Sequence, residues 1–426
     1  MHGVGNGTEF IYDPSEYERG APLSRFEALR SRGPVIWVEE NSLEHWPGGD
    51  GFWAVLNHAL CTEALKNTSV FSSHHQGTQL RNPATVDDLG YAREMMLNMD
   101  PPDHSRLRRQ LVGAFTSKAI RVLEEKISQH AKSIVDEVII RYPTGECDFV
   151  ADIASDLPLR CLADIFGIPS EDRYLMYDWA NRVIGYQDPD YAKSSCFDVA
   201  SGSAMAREAI LQRPKPDENG YMPDPRSRLG MNDLYCYAHL LAKHRRENPA
   251  DDVISILLTQ LDDNEKPFNI AEFETMFWLF MVAGNETLRN GIPGGMIALL
   301  EHPACWTQLH SNPQLMTNAV REMLRWWTPV MNFRRTAKSA IDLGGQRINA
   351  GDKVMISFIS ANYDESVFPS PEIFNLERNA NKHLSFGYGP HFCLGAQLAE
   401  TQMRAIFSEL VKRFRRVEML APPVFL

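Results

Sequence analysis

The sequence predicts a mainly α-helical chain with small β-sheets, an α+β fold in which helices dominate. Three observations carry this. Residues 119–250 read as a succession of helices: Ala119–Arg141, Asp148–Phe166, Asp172–Gly185, Tyr191–Gln212 and Met231–Glu247, with a Pro- and Arg-rich loop at Pro214–Gly230. A stretch from Ile270 to Leu300, apolar in its first half, is long enough for a central helix of roughly 45 Å. Strand-like runs are short and confined to about 35–56 and 330–360. No linker or internal repeat divides the 426 residues, so a single domain over 1–426 is expected, helix-rich at about 100–330 and 394–416.

Composition excludes several function classes. The net charge of −12 argues against a general nucleic-acid binder. Seven scattered cysteines, with no pair at metal-site spacing, argue against a disulfide scaffold or a zinc site. Met1–Phe10 lacks the apolar core of a signal peptide, and no window approaches 18 apolar residues. No membrane span and a cytoplasmic location are expected.

Taken in order, a short helix at Leu23–Arg32 precedes strands Val35–Val38 and Phe52–Val55, and a helix follows at Asn57–Asn67. Phe71–Leu89 reads as a long irregular loop. Asp100-Pro101-Pro102-Asp103-His104 opens a helix that places His104 and Arg108 on one face. Asn269 and Glu272 supply a cap and an N3 acid for the central helix. Its first half is apolar on nearly all sides and should be buried. Ala283-Gly284-Asn285-Glu286-Thr287 then sets polar groups in a buried helix, which is costly unless they are paired or functional. Pro293 removes a helical hydrogen bond and should bend the distal half. A helix at Met316–Trp326 carries Glu322 and Arg325, and strands are expected at Val330–Ala337 and Val354–Ser357, with a helical turn at Ala361–Asp364.

The chemistry concentrates near the end. Cys393 lies in His383–Gly395, among Gly387, Gly389 and Gly395 and directly before an amphipathic run, Ala396–Phe414. A thiol at a helix start has its thiolate stabilised, and the glycines let a flat object approach the backbone.

Phe-x-x-Gly-x-x-x-Cys-x-Gly at Phe386–Gly395, with His391 two residues before the cysteine, resembles the haem-binding loop of the cytochrome P450 family. Asp-Pro-Pro-x-His-x-x-x-Arg, Ala-Gly-x-Glu-Thr, Glu-x-x-Arg and Arg335-Thr336-Ala337 resemble further motifs of that family, so the likeness covers nearly the whole chain. The resemblance implies a triangular haem domain with haem b. Cys393 would be the iron ligand. His104, Arg108, Arg335 and His391 would bind the propionates, Phe386 would shield the thiolate, and Gly395 would belong to the same cradle. Thr287 and Glu286 would deliver protons beside an oxygen groove at Ala283 and Gly284. Glu322, Arg325 and Arg378 would form a buried bracing cluster. Leu279, Ala283, Val330 and Met331 would line the substrate pocket.

It further implies a monooxygenase that hydroxylates a small hydrophobic substrate with O2. The nearest look is to bacterial members acting on steroids or terpenoids. Electrons would come from a ferredoxin-type donor, docking on a proximal face that carries Arg106, Arg109, Arg404 and Lys412, and the chain would act as a monomer. Family members usually continue past the final Pro-Pro through a hairpin, which is not expected within this sequence. Two rivals share the site: a peroxide-driven peroxygenase, which Glu286 and Thr287 disfavour, and a non-catalytic haem sensor or carrier.

Overall fold

The computed structural model describes residues 7–44, 46–83, 85–184, 198–218, 223–225, 227–262 and 265–425. Helix α1 (Leu23–Arg32) precedes strands β1 (Val35–Val38) and β2 (Phe52–Val55). Next come α2 (His58–Lys66), β3 (Phe71–Ser72), α3 (Val86–Arg93), α4 (Asp103–Val112) and α5 (Ser117–Arg141). A π-helical turn at Val150–Ala154 leads into α6 (Asp156–Phe166), followed by α7 (Arg173–Ile184), α8 (Ala204–Ile210), α9 (Asn232–Glu247) and α10 (Val253–Thr259). Then follow α11 (Ile270–Ala283), α12 (Glu286–Glu301), α13 (Pro303–Ser311) and α14 (Met316–Trp327). Strands β4 (Asn332–Ala337), β5 (Ile341–Leu343), β6 (Gln346–Ile348) and β7 (Lys353–Ser357) precede α15 (Phe358–Ala361) and α16 (Ala396–Arg413).

The five-stranded sheet runs β1-β2-β7-β4-β3, with β2 and β7 parallel and the other pairs antiparallel. All five residues of the central strand β7 are buried, as a strand covered on both faces requires. Register sets Arg335 opposite Val354, deep in the sheet. The helices pack into a larger core. Along α16, Met403, Ile406, Phe407 and Leu410 recur at helical spacing and are buried. Each contributes about 1.5–3 kcal/mol, and Phe407→Ala would cost about 3–5 kcal/mol.

Several expectations are corrected. The long loop contains α3, which starts with a capping box of Thr85 and Asp88. Helix α10, capped by Asp252, and the small β5–β6 pair fall between the elements read from sequence. Strand β4 begins at Asn332, so Val330 and Met331 lie in the approach to it. The helical turn expected at Ala361–Asp364 sits at Phe358–Ala361 instead. The first part of the expected helix Tyr191–Gln212, and Gly185, lie outside the described residues.

The central helix is capped as expected, Asn269 and Glu272 each accepting the other's backbone N–H. It is not continuous, however. It stops at Ala283 and restarts at Glu286. Helix α12 runs through Pro293, so the break lies before the proline rather than at it.

Candidate active site

Two glycines shape the cysteine loop. Gly387 and Gly389 both adopt φ +70°, a left-handed conformation that side chains resist. A Cβ on Gly389 would come within 2.8 Å of the Leu65 carbonyl oxygen, so the loop presses on the end of α2. The Cys393 N–H donates to the Phe386 carbonyl at 2.8 Å, and Phe386 packs between His383 and Phe392. Gly395 differs: its φ is −89°, and an added Cβ would meet nothing within 4 Å. Neither backbone strain nor protein packing requires glycine there.

The Cys393 side chain is accessible, yet it is closely surrounded by protein. Burial pushes the thiol up from its ordinary value, and the Gly395 amide and the Arg108 charge only partly oppose this. The expectation of a dipole-stabilised thiolate is therefore corrected: in the protein alone, desolvation outweighs the helix start. A metal would have to displace the proton.

Four basic side chains converge beside it. The His104 and His391 rings lie 4.0 Å apart between centroids. His104 is buried, and its Nδ1 has no hydrogen-bond partner. His391 donates to the Met99 carbonyl and sits 3.3 Å from Ser73 Oγ. Burial, Arg108 and Arg335 lower His104 to about 4, and burial, Arg335, His104 and Arg108 lower His391 to about 2. Arg335 is 1% exposed and donates to the Arg334 carbonyl at 2.8 Å. Burial lowers it to about 10, and among the described residues no carboxylate lies within ion-pair distance of it. Burial also lowers Arg108, with the Cys393 sulfur opposing. Such a cluster is costly without an anion. It fits a guest that carries carboxylates, which an Arg fork grips well.

At the helix interruption, the Thr287 hydroxyl donates to the Ala283 carbonyl at 2.7 Å. Ala283 is accessible although Val282 and Asn285 beside it are buried. A Cβ on Gly284 would come within 2.8 Å of Leu162. Burial raises Glu286 to about 7. Arg289 Nη2 lies 2.7 Å from Glu286 Oε2 and opposes this shift by favouring the carboxylate. Arg289 reaches α7, donating to Asn181 at 2.6 Å and lying over the Tyr177 ring.

Glu322, Arg325 and Arg378 do meet. Glu322 is 0% exposed and accepts from Arg325 twice at 2.8 Å, from Arg378 Nε at 3.1 Å, and from Asn375 N and Asn381 Nδ2. Burial would raise this carboxyl, but Arg325, the Asn375 amide and Arg378 hold it below its ordinary value. Asn362, passed over in the sequence, ties this cluster to the cysteine loop. Its backbone carbonyl accepts from Arg325, its Oδ1 from Leu384 N at 2.6 Å, and its Nδ2 donates to Ser385. Those partners are remote in sequence, so no local pattern marks it.

The expected pocket residues come from separate packing clusters. Leu279 lies one helical turn before Ala283 in the helical core, whereas Val330 and Met331 pack on the sheet. The expected basic patch is corrected in part. Arg106 is ion-paired with Glu272 at the start of the central helix and lies 3.8 Å from Asp262, so its charge is partly neutralised. Arg404 meets Glu124 at 3.3 Å and Lys412 meets Glu409 at 3.7 Å.

A family model for cytochrome P450 matches residues 236–421. A putative cytochrome P450 126 of Mycobacterium tuberculosis is 34% identical over 97% of this chain and 92% of its own length. The chain belongs to the cytochrome P450 family. A steroid C26-monooxygenase of the same organism is 34% identical over 96% of this P450 and 87% of its own length. A linalool 8-monooxygenase of Pseudomonas putida is 31% identical over 96% and 93%. Among solved structures, a Mycobacterium marinum cytochrome P450, CYP268A2, in complex with pseudoionone superposes with a TM-score of 0.79 at 35% identity, covering 97% of this chain and 92% of that one. This P450 is thus an oxidoreductase of the monooxygenase class, and the family implies a haem cofactor. The accessible thiol, the open space at Gly395 and the unpaired bases fit that group. Among the described residues, no helix is long and apolar enough to cross a membrane.

Proposed function

We propose that this P450 hydroxylates a hydrophobic substrate of the terpenoid or steroid kind, with haem b held by Cys393 and electrons drawn from a ferredoxin-type donor. The observation that supports this most is the set of buried, unpaired bases beside an accessible cysteine. The names of the relatives and the pseudoionone bound to CYP268A2 favour the substrate class. On this reading the chain acts as one haem domain, a monomer in the cytoplasm.

His104, Arg108, Arg335 and His391 bind the propionates, and Phe386 shields the thiolate. When bound, haem supplies the redox and oxygen chemistry, with cysteinate ligation favouring O–O cleavage. Substrate, O2, two electrons and two protons give hydroxylated product and water. The accessible Ala283 leaves room for oxygen, while Gly284, expected in the same groove, lets Leu162 of α6 approach the helix instead. Thr287 Oγ1, already donating to Ala283, keeps lone pairs with which to accept from a water or a protonated oxygen. Glu286, raised to about 7, exchanges protons near neutral pH. Leu279, Val330 and Met331 contribute to the substrate pocket.

The deciding experiment is the absorption spectrum of the reduced carbon monoxide complex. The expected band is the long-wavelength one of thiolate ligation, lost in Cys393→His. A histidine-type band in the unmutated protein would refute the ligand assignment. Turnover with peroxide at the rate of the full electron chain would favour a peroxygenase instead.

A further inference from the structure

Asn285, at the break between α11 and α12, is 0% exposed. Neither its amide oxygen nor its amide nitrogen has a hydrogen-bond partner among the described residues. A buried amide in that state has lost its hydration with nothing in exchange. Buried polar groups in folded proteins are otherwise paired with protein or with ordered water. A leucine would suit a dry site of this shape better, so the amide calls for a ligand of its own size.

Its direction follows from the helix. Successive residues turn by about 100°. Gly284 faces Leu162 of α6, and Arg289 faces Asn181 and Tyr177 of α7. The Arg289 N–H donates to the Asn285 carbonyl at 3.0 Å, so Asn285 stands one turn before Arg289 on the α7-facing side of α12, next to Gly284 against α6, where α6 and α7 pack together. That side is opposite to the one carrying Ala283 and Thr287. Glu286 stands between the two sides, and its Oε2 lacks an aligned hydrogen bond. Asn285 thus has an unused donor and acceptor, and Glu286 Oε2, which meets Arg289 at 2.7 Å, keeps a lone pair for a second donor.

We propose that Asn285 holds a buried water at the rear of the helix break, hydrogen-bonded onward to Glu286, and so positions the proton source that recharges this carboxyl. The inference rests on the role proposed above for Glu286. The amide N–H donates to the water oxygen, and the amide oxygen accepts one of the water's hydrogens. The other hydrogen is directed to Glu286 Oε2. When Glu286 passes its proton towards Thr287, the water gives a proton to the carboxylate and takes one in turn from solvent through the α6–α7 seam. One proton enters and one leaves, and Asn285 itself neither gains nor loses charge. It is a positioning residue.

The test uses the haem-loaded protein with Asn285→Leu, which removes both polar atoms at similar volume, and Asn285→Ser, which keeps a hydroxyl and leaves space for water. A high-resolution crystal structure of the unmutated holoenzyme should show an ordered water on the Asn285 amide, within hydrogen-bond reach of Glu286. In Asn285→Leu, product formed per electron pair should fall by roughly tenfold, a fraction of the ~10²–10⁴ that positioned proton transfer supplies. The solvent isotope effect on turnover should rise with it, and Asn285→Ser should recover most of the coupling. A purely structural amide would instead leave the isotope effect unchanged. The inference is overturned if no water is seen on Asn285, or if Asn285→Leu keeps normal coupling while melting at a higher temperature. Glu286→Gln separates the two levels. If it uncouples the enzyme while Asn285→Leu does not, only the water is refuted. If Glu286→Gln is itself fully coupled, the relay reading fails first.

Discussion

Two buried ionic clusters lie on either side of the cysteine loop, and they differ in closure. Around Glu322, every charge has its partner: two guanidinium groups, a backbone amide and a side-chain amide converge on one carboxylate. Around Arg335, bases of like sign crowd together, and each is pushed towards its neutral form. The same low-dielectric interior makes the first cluster rigid and the second costly. A saturated buried network braces a fold, whereas an unsaturated one of single sign marks where a guest of opposite charge belongs.

The comparison can be broken most forcefully at Glu322. Replacing it with alanine leaves Arg325 and Arg378 buried and unpaired, at about 3–5 kcal/mol. The expected result, read from thermal melts and haem content, is a protein that holds little haem. A variant that melts and loads normally would show that the network is dispensable.

Arg335→Leu should behave in the opposite sense before haem is added. Removing a buried, unpaired cation stabilises the apo protein, by about 1–3 kcal/mol. The same change should speed haem loss from the holo protein. Denaturant melts of both forms test the reversal of sign, and destabilisation of both would mean that Arg335 already has a protein partner.

Asn362→Ala should cost about 1–3 kcal/mol, because Leu384 N is left without an acceptor inside the protein. A cysteine-loop amide that exchanges faster with deuterium would locate the loss.

Acidity gives a subtler contrast. Glu322 is held below 4.5, so its stabilisation is present above that pH and is lost as pH falls through its folded value. Glu286 is raised from 4.5 to about 7. Its folded state binds the proton more tightly, so its contribution is complete below pH 4.5 and is lost as pH rises through about 7. Glu286→Gln should therefore remove the fall in stability between pH 4.5 and about 7 and leave the curve's shape below and above that window unchanged. Lys412→Ala, on an exposed pair, should change stability by no more than about 0.5 kcal/mol.

What the sequence disclosed was what short-range rules govern. The Asn269–Glu272 cap, the apolar spacing of α16 and the cysteine loop are all patterns within a few residues, and they fold as read. Thr85 and Asp88 offered an equally local signal for α3, hidden by the polar composition around it. The break at Gly284–Asn285 was not legible, because both residues keep right-handed backbone angles. Nor was the raised pKa of Glu286, which is set by burial among segments distant in sequence. The net effect on the Cys393 thiol was misjudged for the same reason: the helix start is visible locally, and the desolvation that outweighs it is not.

The parallel pairing of β2 with β7 also has a temporal side. Trp53 must wait for Val354, about 300 residues later, before its strand acquires that neighbour. At ~5–20 residues per second of synthesis, the wait lasts roughly 15–60 s. During that time Phe52 and Val55 have only β1 to pair with. Helices α5 to α14 can assemble from nearer contacts first. The strand bearing Arg335 therefore closes late, and the nascent chain becomes able to capture its prosthetic group only when translation is nearly over.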